Sequence, residues 1–273
     1  MTFTSFFGNR TSAQHKEATL EQPRFEQGAN CLFAGHSYFV PPAKRGFDVV
    51  ALLNPDRFPN HSFVQVLRSG IAGSPKKLWE DTTARQEIDT ALSSGDVELF
   101  GMTYFSPDNS MQQHYQNFID LALSYNSNTS IVIATPWMLA GGLQPYFVFW
   151  AFTALLAELA FGIVQKLRQA NLNTRIYSFS HGVVGSIMYK EFKDGSLENI
   201  TKKFAAVYDD AALFNEFGTH GGLMMEHVAG LLMLYELYTE DWESLQVQWS
   251  WNREDVEDIM AQAIEFNRPF ELN

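Results

Sequence analysis

Ser37 stands in the tetrad Ala34-Gly35-His36-Ser37, directly after the apolar run Cys31-Leu32-Phe33. That order predicts a hydroxyl at the carboxyl end of the first strand of an α/β domain, where open α/β sheets carry their ligand sites. A serine hydroxyl attacks a carbonyl only when a base takes its proton and fixed donors receive the oxyanion. His220, in Phe217-Gly218-Thr219-His220-Gly221-Gly222, lies beside the start of a helix and is the candidate base. His227 falls inside that helix and reads as a packed or surface histidine. The nearby acids are Asp209, Asp210 and Glu216. With Glu226 and His227 added, the same stretch holds the residue types of a metal site. However, the spacing from His220 to His227 does not reproduce His-Glu-x-x-His or its inverted form. Neither a metal nor a cofactor is expected.

The composition narrows the partners. The chain has 273 residues with a formal net charge of −12, and its hydrophobic and charged fractions of 46% and 18% predict one large folded domain. A phosphate backbone is repelled by that charge, and no Lys/Arg cluster offsets it, so nucleic acid is excluded as a partner. The 23 Phe, 10 Tyr and 6 Trp imply broad apolar walls in the core or in a pocket. Cys31 is the only cysteine; its place in an apolar strand predicts a buried structural thiol and no disulfide. Met1 to Leu20 lacks a basic segment followed by an apolar one, which predicts a cytoplasmic protein.

Leu143 to Val164 is apolar enough to cross a bilayer. Glu158 interrupts it, Pro145 and Gly162 lie near its ends, and no second such span exists. It reads as a core or interface helix rather than a membrane segment. An exposed aromatic face at Tyr146 to Phe152 would be a contact surface for another subunit, giving a homo-oligomer, or for an acyl chain.

These residues need a frame to position them, and the pattern supplies one. Residues 1–29 read as a polar arm, followed by a single domain over 30–273. Strands are expected at Asn30–Ala34, Ser62–Arg68, Val97–Phe100, Thr129–Ala134 and Thr174–Ser178. Helices are expected from the His36-Ser37 turn to Leu53, over Lys76–Leu92, Met111–Tyr125, Leu143–Ala170, Gly221–Tyr238 and Glu254–Phe266. Strands alternating with helices predict a parallel sheet with helices on both faces.

A serine after the first strand, a glycine loop after the second, an Asn-bearing loop after the third and a late histidine together resemble the SGNH (GDSL-type) hydrolase family, over roughly residues 30 to 240. The resemblance implies a flavodoxin-like three-layer α/β/α sandwich with about five parallel strands. It also implies hydrolysis of carboxylic esters, often of acetyl or other short acyl groups and commonly on carbohydrates. Gly35-His36-Ser37 matches the family's first block, with Ser37 as nucleophile and its own N–H as an oxyanion donor. In Ser69-Gly70-Ile71-Ala72-Gly73-Ser74, Gly73 maps onto the second block, with Gly70 behind it. The third block, normally Gly-x-Asn-Asp, departs here. Gly101-Met102-Thr103-Tyr104 carries Thr103 in the asparagine's place, and Asn109 of the same loop is the expected amide donor. Tyr104 and Trp137 would form pocket walls. The last block, normally Asp-x-x-His, departs as well. Asp209-Asp210-Ala211-Ala212 meets Leu213 where the histidine belongs, so the implied pair is Asp210 orienting His220 across an insertion, with Asp209 and Glu216 as fallbacks.

Ser178-Phe179-Ser180-His181-Gly182 resembles the Gly-x-Ser-x-Gly elbow of α/β-hydrolases, with Ser180 as the nucleophile. A non-catalytic binding or assembly module of the SGNH type is the reading from a different class. The expectation is therefore a serine esterase using Ser37, His220 and Asp210, with Ser37, Gly73 and Asn109 around the oxyanion. Its substrate would be a small-molecule or carbohydrate ester, and neither nucleic acid nor membrane would be a partner.

Overall fold

A computed structural model describes residues 24–105, 112–206, 209–247 and 251–271. Most of the expected arm, and the segment that holds Asn109, lie outside the described residues. Five strands, β1 (Asn30–Gly35), β2 (Ser62–Leu67), β3 (Leu99–Thr103), β4 (Ser130–Thr135) and β5 (Ile176–Ser180), form one sheet in the order β2-β1-β3-β4-β5. Every neighbouring pair is parallel. The fold is the flavodoxin-like three-layer α/β/α sandwich, and its strand order puts the switch point at the carboxyl ends of β1 and β3.

Both faces of the sheet are covered over β1, β3, β4 and β5, which are buried almost throughout, while the edge strand β2 is mostly exposed. Side chains alternate between two cores. Cys31, Phe33, Val132, Ala134, Tyr177 and Phe179 point to one, and Leu32, Ala34, Phe100, Met102, Ile131 and Ile133 to the other. The second core is closed by α2 (Pro75–Glu80), α3 (Thr82–Leu92), α4 (Gln112–Tyr125) and α5 (Tyr146–Ala170). The first is closed by α1 (residues 40–53), α6 (Val183–Asp194), α7 (Leu223–Leu237) and α8 (Arg253–Glu271). Helix α1 runs over 40–53, from Val40–Pro42 through a π-helical stretch, Ala43–Asp48, into Val49–Leu53.

Several elements differ from the sequence reading, each for a local reason. The helix expected over Lys76–Leu92 is two helices, because the Asp81 carboxylate accepts from the N–H groups of Thr83 and Ala84 and starts a new helix there. β3 runs through Gly101 to Thr103, since Phe33 of β1 packs against the glycine where a Cβ would stand, 2.7 Å from its ring. β5 lies two residues later than expected, which makes Ser180 its last residue. Two short paired strands, β6 (Lys202–Ala205) and β7 (Ala212–Asn215), were not expected from periodicity.

Helix α5 buries Phe149, Leu156, Ala160, Val164 and Leu167 on the sheet side. Its other side keeps Phe147, Leu155 and Leu159 exposed. Residues 24–29, at the end of the expected arm, pack on the domain. Phe25 N–H donates to Leu237 O, and Arg24 reaches Tyr235 O and Glu240.

One helix crossing sets the site. At the α1–α7 contact a Cβ on Gly46 would lie 2.2 Å from His227 O, and one on Gly230 would lie 2.3 Å from Pro42 O. Only glycine lets two backbones come so close. The crossing holds α7 against residues 42–47 of α1; the loop before α7 carries His220 and the turn before α1 carries Ser37.

Candidate active site

Ser37 and His220 are 183 residues apart in sequence, and the fold joins them: Ser37 Oγ lies 2.7 Å from His220 Nε2. Ser37 belongs to the turn that leaves β1 and is half-buried. Next to it, His36 is fully buried and points inward. Its Nδ1 accepts from Tyr38 N–H at 3.1 Å, and its Nε2 faces Thr103 Oγ1 at 3.2 Å. An accepting Nδ1 means a neutral ring with the proton on Nε2. Burial, and then the neighbouring His181 and His220, push the His36 pKa down to about 3. Thr103, which stands where the SGNH pattern has asparagine, holds His36 and bonds to Tyr104 O.

The loop after β2 lies against the same turn. A Cβ on Gly73 would sit 2.6 Å from both Gly35 O and His36 N, so glycine is required there and the chain touches the peptide just before Ser37. Among the described residues no acceptor takes the Ser37 N–H, which leaves it able to receive an oxyanion. Gly70, the second candidate, has φ +52° and open space around its Cα.

His220 is held from its other nitrogen by uncharged groups. Nδ1 lies 3.0 Å from Thr219 Oγ1 and 3.5 Å from Asn215 Nδ2. Asn215, the last residue of β7, in turn fixes the loop, its Oδ1 accepting from Thr219 N–H at 2.9 Å and His220 N–H at 3.2 Å. For Nε2 to accept the serine proton, Nδ1 must carry a hydrogen and donate it to Thr219 Oγ1. Burial lowers the His220 pKa from the ordinary imidazole value, and among the described residues no carboxylate bonds to it.

The acids expected beside His220 are elsewhere. Asp210 is exposed, and its backbone carbonyl accepts from the Trp251 indole N–H at 2.9 Å. Asp209 pairs with Lys202 at 2.8 Å, and Glu216 is exposed. The carboxylate-to-imidazole contact that the family pattern implies is therefore replaced by the Thr219–Asn215 pair. Thr219, directly before His220, puts a hydroxyl next to the ring, and β7 brings Asn215 to the same side. A polar side chain five residues before the histidine is the sequence signal that marks Asn215, and it becomes readable only once β7 is known.

Tyr38 is a further group that residue-type reasoning passed over. Its ring lies parallel to His220, with centroids 4.7 Å apart and planes 4° apart. His36 and Trp137 meet the Tyr38 ring edge-on, and Tyr38 O accepts from His181 Nε2 at 2.7 Å. The backbone of Ala140 faces the Tyr38 hydroxyl and partly offsets the rise that burial gives its pKa. Ala140 is left-handed at φ 53°, alone among the described non-glycine residues, a conformation that costs about 1–3 kcal/mol and persists only where the surroundings hold it.

A pocket of about 350 Å³ opens beside Ser37 and His220. Its walls are largely apolar, from Pro41, Phe214, Phe217 and Leu223, and it also contains Arg45 ion-paired to Glu226. Tyr104 and Trp137, expected as pocket walls, are buried and do not line it.

Ser180 has a different environment. It is buried, its N–H donates to Asn267 Oδ1 at 2.7 Å, its carbonyl accepts from Asn267 Nδ2 at 3.2 Å, and its hydroxyl donates to Thr135 O. His181 beside it is buried with a pKa lowered by burial to about 4. His227 packs edge-on against Trp251. Among the described residues no group of three or more His, Cys, Asp or Glu could hold a metal ion. No protein-family model matches the chain, and no curated protein matches it in sequence.

Proposed function

We propose that the protein is a serine esterase of the SGNH type, hydrolysing carboxylic esters of acetyl or other short acyl groups on a small molecule or carbohydrate. The 2.7 Å contact between Ser37 Oγ and His220 Nε2 carries this reading. Nucleophile and base are within hydrogen-bond reach at the carboxyl end of β1, beside a pocket of substrate size.

In this reading His220 Nε2 takes the Ser37 proton as Oγ attacks the ester carbonyl. The charge that develops on the carbonyl oxygen is received by the Ser37 N–H, with Gly73 and the Asn109 amide as the further donors the family resemblance implies. The imidazolium then gives its proton to the departing alcohol oxygen, and an acyl-serine remains. Water, deprotonated by the same Nε2, attacks that acyl group and releases the acid. Thr219 Oγ1, accepting from Nδ1–H, keeps the proton off Nε2 between these steps.

A fluorophosphonate probe tests the nucleophile. Labelling at Ser37 that disappears in Ser37→Ala, with loss of chromogenic acetyl-ester hydrolysis, is the expected result. Labelling at Ser180 would move the nucleophile, and no labelling of the folded protein would leave a binding module.

A further inference from the structure

We propose that the aromatic face of Tyr38 stabilises the protonated imidazole of His220, taking over part of the work that a carboxylate would do on Nδ1. This inference rests on the reading of His220 as the base. An imidazole that accepts the serine proton becomes a cation, and something must offset that charge in a partly buried site. Its Nδ1 meets only the neutral Thr219 hydroxyl and Asn215 amide. The Tyr38 ring, by contrast, covers a whole face of the imidazole, its centroid well inside the distance of about 6 Å at which a cation is attracted to a ring. A parallel arrangement at 4.7 Å between centroids is an offset stack, which places the negative face of the phenol ring against the imidazole.

Tyr38 is built to hold this position. It is 3% exposed, bonded at its carbonyl by His181, and flanked edge-on by His36 and Trp137. Burial pushes its own pKa up to about 12, so the ring acts as a neutral π surface and not as a phenolate. The other titratable groups around His220 are accounted for. His36 is neutral and bonded to Thr103, Arg45 is paired with Glu226, and Asp209 is paired with Lys202. Tyr38 is thus a positioning residue that acts through His220.

The test varies ring electrons at nearly constant shape. Phenylalanine, 4-fluoro-, 3,5-difluoro- and pentafluoro-phenylalanine are placed at position 38 in the full chain, with Tyr38→Phe as the reference that lacks only the hydroxyl. The His220 pKa is read by NMR titration, assigned by loss of its signals in His220→Gln. It is expected to fall stepwise along the series, by about one unit in all, with kcat for acetyl-ester hydrolysis falling about tenfold and KM unchanged. A role in packing alone leaves the pKa level along the series, and that result overturns the proposal. A stepwise pKa in a protein that hydrolyses no ester keeps the stack and refutes the esterase reading instead.

Discussion

Asn215→Asp adds the carboxylate this site lacks, with almost no change in shape. Asn215 Oδ1 already accepts from the N–H groups of Thr219 and His220, and an aspartate oxygen can keep both bonds. The other oxygen then replaces Nδ2, 3.5 Å from His220 Nδ1. Two unit charges 4 Å apart interact by about 4 kcal/mol at an effective dielectric of about 20. That sets a ceiling of about three pKa units at 1.36 kcal/mol per unit. His220 is half-buried, so solvent screens part of the effect, and we expect its pKa to rise by about one to two units. The free-enzyme pH profile of kcat/KM reports this directly. In the parent protein the acidic limb lies below the ordinary imidazole value, because burial lowers the His220 pKa. In Asn215→Asp the limb moves up by the same one to two units. The plateau rises about tenfold or more, since the carboxylate stabilises the imidazolium formed during attack. The assay is chromogenic acetyl-ester hydrolysis from pH 4 to 9, paired with NMR titration of His220. An acidic limb that stays in place or moves down refutes the geometry assigned to Asn215 and His220.

Three further outcomes follow from the same contacts. Thr219→Val removes the hydroxyl that accepts from His220 Nδ1–H and leaves the Asn215 amide as its neighbour, a donor that favours the wrong tautomer; kcat falls about 10²-fold or more with KM little changed, and an unchanged kcat would show that Thr219 does not set the tautomer. Gly230→Ala places a Cβ against Pro42 O and the Gly46 backbone, which cannot move aside as a side chain could; urea unfolding should show a loss of about 3 kcal/mol or more, and a loss below about 1 kcal/mol would contradict the close crossing. Acid should destabilise the fold well before the carboxylates titrate. Burial lowers the pKa of His36 to about 3 and of His181 and His227 to about 4, so the unfolded chain binds more protons than the folded one at mildly acidic pH. Stability contributed by keeping these rings neutral is complete above the ordinary value near 6.5 and is lost as pH falls toward about 4. Each ring costs about 1.4 kcal/mol per pH unit in that window, and urea midpoints that stay level from pH 7 to pH 5 would refute the burial of these rings as neutral groups.

The legible parts of the sequence were those where one local signal decides. Alternating apolar runs and helical spacing gave all five sheet strands and the order of the layers, because burial on both faces leaves few other patterns for β1 and β4. Ser37 was legible because it directly follows β1, and a serine there lies at the end of the sheet where ligands bind. The misread parts depended on partners distant in the chain. Asp81 broke a helix by capping it, a choice that periodicity over Lys76–Leu92 conceals. Asp210 stood as the acid for His220 because the Asp-x-x-His block of the family it resembles was carried onto Asp209-Asp210-Ala211-Ala212, and β7 then carried the backbone past it and delivered Asn215.

Residue types and their order by themselves determined an α/β domain, a serine at the end of its first strand and a histidine late in the chain beside the start of a helix. Those features follow from local patterning, in which each residue's role depends on its near neighbours. Only the tertiary structure decided that His220 reaches Ser37, that the uncharged Thr219 hydroxyl meets its far nitrogen while Asn215 fixes the loop, and that Tyr38 covers its face. The reason is the α1–α7 crossing at Gly46 and Gly230. A contact made 183 residues apart is set by how closely two helices can approach, and sequence spacing carries no record of that distance.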